Sequence, residues 1–249
     1  MKHAASEAGP LRDPRDRLII ALDTPSLDAA REIAGRLHGA VRWFKVGPEL
    51  FTAAGPAAVA ALRGSARVFL DLKFHDIPAT VAGSVAAATR LGVDLLNVHA
   101  LGGRPMLTAA RDAAERAAAS TGSRPPMIIA VTLLTSGDPS VMQDAGISGT
   151  PEGVALRLAK LAQAAGLQGV VASPLDAAAI RSACGPGFLI VCPGIRPAGT
   201  GQDDQRRVLA PREAIAAGAD MLVVGRPVTR APDPRRAAEE VLREIALAE

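Results

Sequence analysis

Arg67-Val68-Phe69-Leu70-Asp71-Leu72-Lys73-Phe74-His75-Asp76-Ile77-Pro78-Ala79-Thr80 reads as the end of one element and the start of the next. The apolar run 67–70 has the character of a buried strand. Side chains two apart on a strand share a face, so Asp71 and Lys73 should project together at its end. Asp76 lies just past it, and Pro78 suits the first turn of a helix that the pattern carries through 79–91. Strand, short turn and helix make one β/α unit. Two carboxylates bracketing one ammonium at a strand end would be a costly structural device, because charges lose their hydration on burial. They make sense as a site.

The same unit recurs along the chain. Apolar runs suited to buried strands stand at 18–22, 41–46, 67–72, 93–98, 127–132, 167–172, 187–192 and 219–224. Between them lie helix-like segments rich in Ala, Leu and Arg, such as 26–37, 105–119, 151–165 and 233–248. Several open with Ser, Asp or Pro where a helix N-terminus would place them. Strands alternating with helices imply parallel pairing through right-handed crossovers. Eight units in about 230 residues predict an α/β protein with one (β/α)8 TIM-barrel domain over 17–249. Residues 1–16 are then a flexible N-terminal tail. An open doubly wound sheet is the alternative, but no Gly-x-Gly-x-x-Gly follows the first strand.

Composition narrows the partners. The chain is 49% hydrophobic and 2% aromatic, so Val, Ile, Leu and Ala must fill the core. No apolar run approaches the roughly 18 residues of a membrane span. The polar start, with Pro10 and Pro14, lacks the apolar stretch of a signal peptide. Cys184 and Cys192 form neither a disulfide framework nor a metal spacing. Together these features predict a cytoplasmic protein with free thiols and no membrane partner. A net charge of +3 and a pI near 9.3 favour anionic partners. The charge is scattered, Tyr is absent and Trp43 is the one Trp, which argues against nucleic acid and for an anionic small molecule. Of 28 basic residues, 24 are Arg and four are Lys, at positions 2, 45, 73 and 160. Lys45 and Lys73 both stand at predicted strand ends. An ammonium is a compact charge that can give up a proton, whereas guanidinium stays protonated.

Active sites of this fold lie at the C-terminal ends of the strands. Asp23 follows strand 1, Lys45 lies in strand 2, and Asp71 and Lys73 flank the end of strand 3. His99 follows strand 4, Thr135 strand 5, Arg196 strand 7, and Gly225-Arg226 strand 8. Pro193-Gly194-Ile195-Arg196 leads into a Gly-rich loop, 197–205, able to fold over a ligand. Val223-Val224-Gly225-Arg226-Pro227 offers backbone N–H groups and a fork-shaped guanidinium. Loops after strands 7 and 8 commonly bind phosphate in these barrels, and arginine suits bidentate phosphate contact.

Ala21-Leu22-Asp23, Phe44-Lys45-Val46-Gly47-Pro48-Glu49-Leu50, Asp71-x-Lys73-x-x-Asp76-Ile77-Pro78-x-Thr80, Asn97-Val98-His99-Ala100, the 131–136 segment, Pro193-Gly194-Ile195-Arg196, Asp203-Asp204-Gln205-x-Arg207 and Val224-Gly225-Arg226-Pro227 occur in order. In this the chain resembles the orotidine 5′-phosphate decarboxylase family from Leu18 to about Ala246. The tail and the 137–150 insert fall outside or match poorly. The resemblance implies a homodimer, without cofactor or metal, that converts orotidine 5′-phosphate to uridine 5′-phosphate in pyrimidine biosynthesis. It implies that Lys73 delivers a proton to C6 as carbon dioxide leaves, with Asp71 beside the departing carboxylate. Asp76 would come from the partner subunit, and Lys45 would complete the charge network and reach the ribose. Asp23 and Thr80 would bind ribose hydroxyls, Thr80 also in trans. Ile77 and Thr135 would line the substrate, with Thr135 at the pyrimidine. Arg196, Gln205, Gly225 and Arg226 would hold the phosphate and close the lid. Nearby carboxylates should favour the charged form of Lys73.

Plainer readings stand beside these. Asp23 could cap the helix that follows 24–26, and His75 and His99 read as hydrogen-bonding partners of the loop. Glu49 reads as a helix start, Arg207, Arg212 and Arg230 as solvated charges, and Thr132 competes with Thr135 for the base. The rival function is a Mg²⁺-dependent sugar-phosphate decarboxylase or aldolase, as in the 3-keto-L-gulonate 6-phosphate decarboxylase group. Those enzymes share the Asp-x-Lys-x-x-Asp core but use an acidic metal ligand at the end of strand 2, where this chain has Lys45. A phosphate-binding barrel without catalysis is a further alternative, which the alternating charges argue against.

Overall fold

A computed structural model describes residues 11, 13–134, 139–197 and 208–248. Eight parallel strands close into a barrel in sequence order: β1 Leu18–Ala21, β2 Trp43–Val46, β3 Arg67–Phe74, β4 Leu95–His99, β5 Met127–Val131, β6 Gly169–Val171, β7 Leu189–Cys192 and β8 Met221–Val224. β1 pairs with both β2 and β8, so no strand has an open edge. The predicted (β/α)8 barrel is the observed fold.

Strand alternation sorts the core into two compartments. Ile19, Trp43, Phe69, Leu95, Ile129, Val171, Val191 and Met221 point inward and fill the barrel. Their neighbours Leu18, Ile20, Phe44, Val68, Leu96, Ile128, Val170, Ile190 and Leu222 point outward under the helices. Both faces are buried, and for that reason the strands read as unbroken apolar runs. The largest interior side chains are Trp43, which opens β2, and Phe69, which stands level with Lys45 in the register; both are fully buried. The Arg67 guanidinium lies over the Trp43 ring at 5.4 Å.

Helices begin where local chemistry allows. Ser26 accepts the Ala29 N–H to cap Leu27–Arg36, Thr150 accepts the Gly153 N–H to cap Pro151–Ala164, and Asp233 caps Pro234–Ala246 through the Arg236 N–H. Pro78 opens Pro78–Leu91, and left-handed Gly92 ends it. Residues 13–16, placed in the tail from sequence, take part in the fold. Asp13 caps the turn Pro14–Arg17, Asp16 pairs with Arg42, and Leu11 packs against the barrel interior. Among the described residues no helix is long and apolar enough to cross a membrane.

Candidate active site

The inward alternation continues past the apolar layers and delivers polar groups to the C-terminal mouth. β1 runs Ile19, Ala21 and then Asp23; β2 runs Trp43 and then Lys45; β4 runs Leu95, Asn97 and His99. Lys45 Nζ donates to Asp23 Oδ1 at 2.8 Å and lies 3.3 Å from Asp71 Oδ2. Lys73 Nζ donates to Asp71 Oδ1 at 2.7 Å. The four side chains therefore form one chain of alternating charge, Asp23–Lys45–Asp71–Lys73. Its inner members are buried and its ends, Asp23 and Lys73, are open to solvent. Burial works against the Lys45 charge, but Asp71 and Asp23 outweigh it and hold the ammonium above the usual lysine pKa.

Asp71 and Lys73 meet as the period-two reading requires, but not on a regular strand. Leu70 pairs with Leu96 and Phe74 with Val98, so four steps along β3 match two along β4. The slack is a bulge, and within it Lys73 adopts φ 49°, the single positive φ of a non-glycine among the described residues. Bulges re-aim side chains next to active sites, and this one turns Lys73 back over Asp71.

Asp76 does not bracket Lys73 within one chain, and the resemblance assigns it to the partner subunit. Its Oδ1 accepts the Ile77 N–H at 2.6 Å, and among the described residues it forms no ion pair with Lys73. Residues 75–80 are exposed throughout, with Ile77 at 67% and Thr80 among them. Sequence reading of Asp23 as a helix cap does not hold either, because Ser26 fills that role.

The histidines are stacked, His75 on His99, with centroids 5.1 Å apart and planes 19° apart. His99 Nδ1 accepts the Leu101 N–H, the loop contact expected of it. Burial, then the charges of His75 and Lys73, push its pKa down to about 4. Thr132 is fully buried and donates to the Val171 carbonyl. Its rival Thr135 lies outside the described residues, as does Gln205 of the Gly-rich loop. Ile195 bridges Leu209, so the chain entering and leaving 198–207 is joined beside Arg196. Gly225 and Arg226 follow β8, with Gly225 against Ala21 and Asp23.

Two residues of the site carried no role in the sequence reading. A β-carbon on Gly47 would stand 2.9 Å from Lys45 Nζ and 3.0 Å from Asp23 Oδ1, so a bare backbone there leaves room for that pair. Asn97 is fully buried, donates from Nδ2 to Asp71 Oδ1 at 2.6 Å and accepts the Lys73 N–H at 2.8 Å. A lone amide inside the run Leu-Leu-Asn-Val was the available signal, since buried amides are kept where both halves are bonded.

Fold and mouth together define a (β/α)8-barrel protein whose C-terminal face carries a lysine–aspartate ladder. A sequence model described as orotidine 5′-phosphate decarboxylase / HUMPS family matches residues 16–241, and the chain belongs to that family. Orotidine 5′-phosphate decarboxylase of Moorella thermoacetica is 53% identical over 235 residues, 94% of this chain and 93% of that one. The Trichlorobacter lovleyi protein of the same name is 51% identical over 234 residues, covering 94% and 96%. The crystal structure of orotidine 5′-phosphate decarboxylase from Lactobacillus acidophilus superposes with a TM-score of 0.80 at 36% identity, covering 92% of this chain and 98% of that one.

Proposed function

We propose that the chain decarboxylates orotidine 5′-phosphate to uridine 5′-phosphate and carbon dioxide, with Lys73 as proton donor and without metal or cofactor. Membership of the family makes it a carbon–carbon lyase of pyrimidine biosynthesis. The observation that carries the finer reading is the Asp23–Lys45–Asp71–Lys73 ladder at the mouth.

The chemistry follows from those charges. Breaking the bond between C6 and the carboxylate leaves an electron pair on a ring carbon with no ordinary sink. The Lys73 ammonium, already oriented by Asp71, stabilises that charge where it develops and transfers its proton to C6. Lys73 is left neutral and regains a proton from solvent. Asp71 faces the departing carboxylate, and Lys45 and Asp23 reach the ribose. Arg196, Gln205, Gly225 and Arg226 hold the phosphate far from C6, so its binding energy goes into organising the closed site. Thr135 and Ile77 line the base.

The exposed 75–80 segment supports a homodimer in which Asp76 and Thr80 serve the partner's site, since among the described residues neither bonds to its own ladder. The Mg²⁺-dependent reading is weakened by Lys45, whose ammonium already sits between Asp23 and Asp71, the two carboxylates a cation would need. We place the activity in the cytoplasm.

Lys73→Ala tests the assignment. It should lower turnover by at least about a thousandfold while uridine 5′-phosphate still binds. Turnover within tenfold of wild type, a change of at most about 1.4 kcal/mol, would remove Lys73 from the chemical step.

A further inference from the structure

The bulge of β3 raises two needs that β3 itself does not meet. Lys73 occupies a left-handed backbone region that strains a residue with a β-carbon, and the register slip takes its N–H off the regular ladder with β4. The Asp71 carboxylate must also keep one rotamer to serve Lys45 and Lys73 together. Asn97 answers both with one amide, its Oδ1 on the Lys73 N–H and its Nδ2 on Asp71 Oδ1. A leucine would fill the same space without either bond. An ionised carboxylate would accept from Lys73 but set a second negative charge against Asp71.

We propose that Asn97 is a positioning residue for the decarboxylation, fastening the Asp71 carboxylate and the Lys73 backbone so that the Lys73 ammonium is aimed at the reacting carbon. Fully buried beneath both residues, it acts through them and not on the substrate. This role rests on the function proposed above, and it deepens it by explaining how a strained strand end keeps its aim.

The test measures kcat and KM for orotidine 5′-phosphate, and the affinity for uridine 5′-phosphate, in wild type, Asn97→Leu and Asn97→Asp. Asn97→Leu should lower kcat on the order of 100-fold, the effect of a misplacement near 1 Å. KM and product affinity should stay within about threefold, because ground-state binding is left intact. Asn97→Asp adds a reading that a merely structural residue would not move. Ionised, it repels Asp71 and cannot donate; protonated, it reproduces the amide's donor and acceptor, and adjacent carboxylates readily share one proton. Its kcat should therefore recover as pH falls from neutral towards acid, relative to wild type. The groups around the pair are Lys45 on β2, Lys73 on β3, and His99 on β4 with His75 stacked on it. The lysines oppose proton uptake, and His99 stays neutral until about pH 4.

If Asn97→Leu fails to fold, the acid recovery of Asn97→Asp decides. A kcat within threefold of wild type in either variant at neutral pH, or loss of kcat with no acid recovery in Asn97→Asp, would overturn the role. Wild-type protein that leaves orotidine 5′-phosphate untouched would overturn the function and this role with it, a distinguishable result.

Discussion

His99 is held neutral by burial beside His75 and Lys73, and the cost shows in the pH dependence of folding. Unfolded, the imidazole takes a proton near pH 6.5; folded, it resists to about pH 4. Between those values the unfolded chain binds more protons, so stability rises with pH across the window. The contribution is complete above the unfolded pKa and lost as pH falls towards the folded one. His99→Phe should flatten the decline of Tm over that window, and a slope equal to wild type would contradict the assignment. At this scale the sequence was legible where residue type was unusual. Lys45 and Lys73 stood out in a chain that otherwise uses Arg, and both joined the ladder. Gly47 and Asn97 stayed silent, because their importance lies in what stands across from them: an ammonium in one case, and in the other a carboxylate and an amide from another strand. Asp76 followed the strand end in the sequence, and the resemblance assigned it to the partner subunit; within one chain it does not meet Lys73.

Elements meet at Gly169, where β6 comes close to β7. A β-carbon there would stand 2.1 Å from the Leu189 carbonyl oxygen, a backbone atom that cannot swing aside. Gly169→Ala should therefore destabilise the barrel by about 1–3 kcal/mol, read as a lowered Tm; an unchanged Tm would contradict the close approach. The opposite ends of the strands are tied by paired bonds. Val68 N–H donates to the Asp94 carboxylate while Asp94 N–H returns to Val68 O, and Gln168 with Ile128 and Asp220 with Ile190 repeat the arrangement. Asp220 is also paired with Arg181. Strand positions were legible from apolar runs; three starts were read as observed, and the other five were read two residues early. Val41, Val93, Leu167 and Ala219 are buried under helices before the ladders begin. Strand β3 was read short, because its last two residues continue through a bulge that a period of two does not describe.

For the whole molecule, alternation of strands and helices was enough to give the closed barrel and to place the mouth, since a parallel sheet buried on both faces leaves its chemistry at the strand ends. Residues 75–80 are exposed, and the proposed homodimer assigns Asp76 and Thr80 to the partner's site. Mixing Lys73→Ala with Asp76→Ala subunits tests it, because one of the two sites in a mixed dimer would then keep both wild-type residues. Random exchange should restore about a quarter of wild-type activity in a closed two-fold dimer. No recovery after proven exchange would place both residues in one subunit's site. The first measurement to make follows the pyrimidine absorbance of orotidine 5′-phosphate with the purified protein and excess chelator. Loss of substrate with matching uridine 5′-phosphate and carbon dioxide, at a rate the chelator does not change, is the predicted result. A flat trace from folded protein, or activity that returns only with added Mg²⁺, would contradict it.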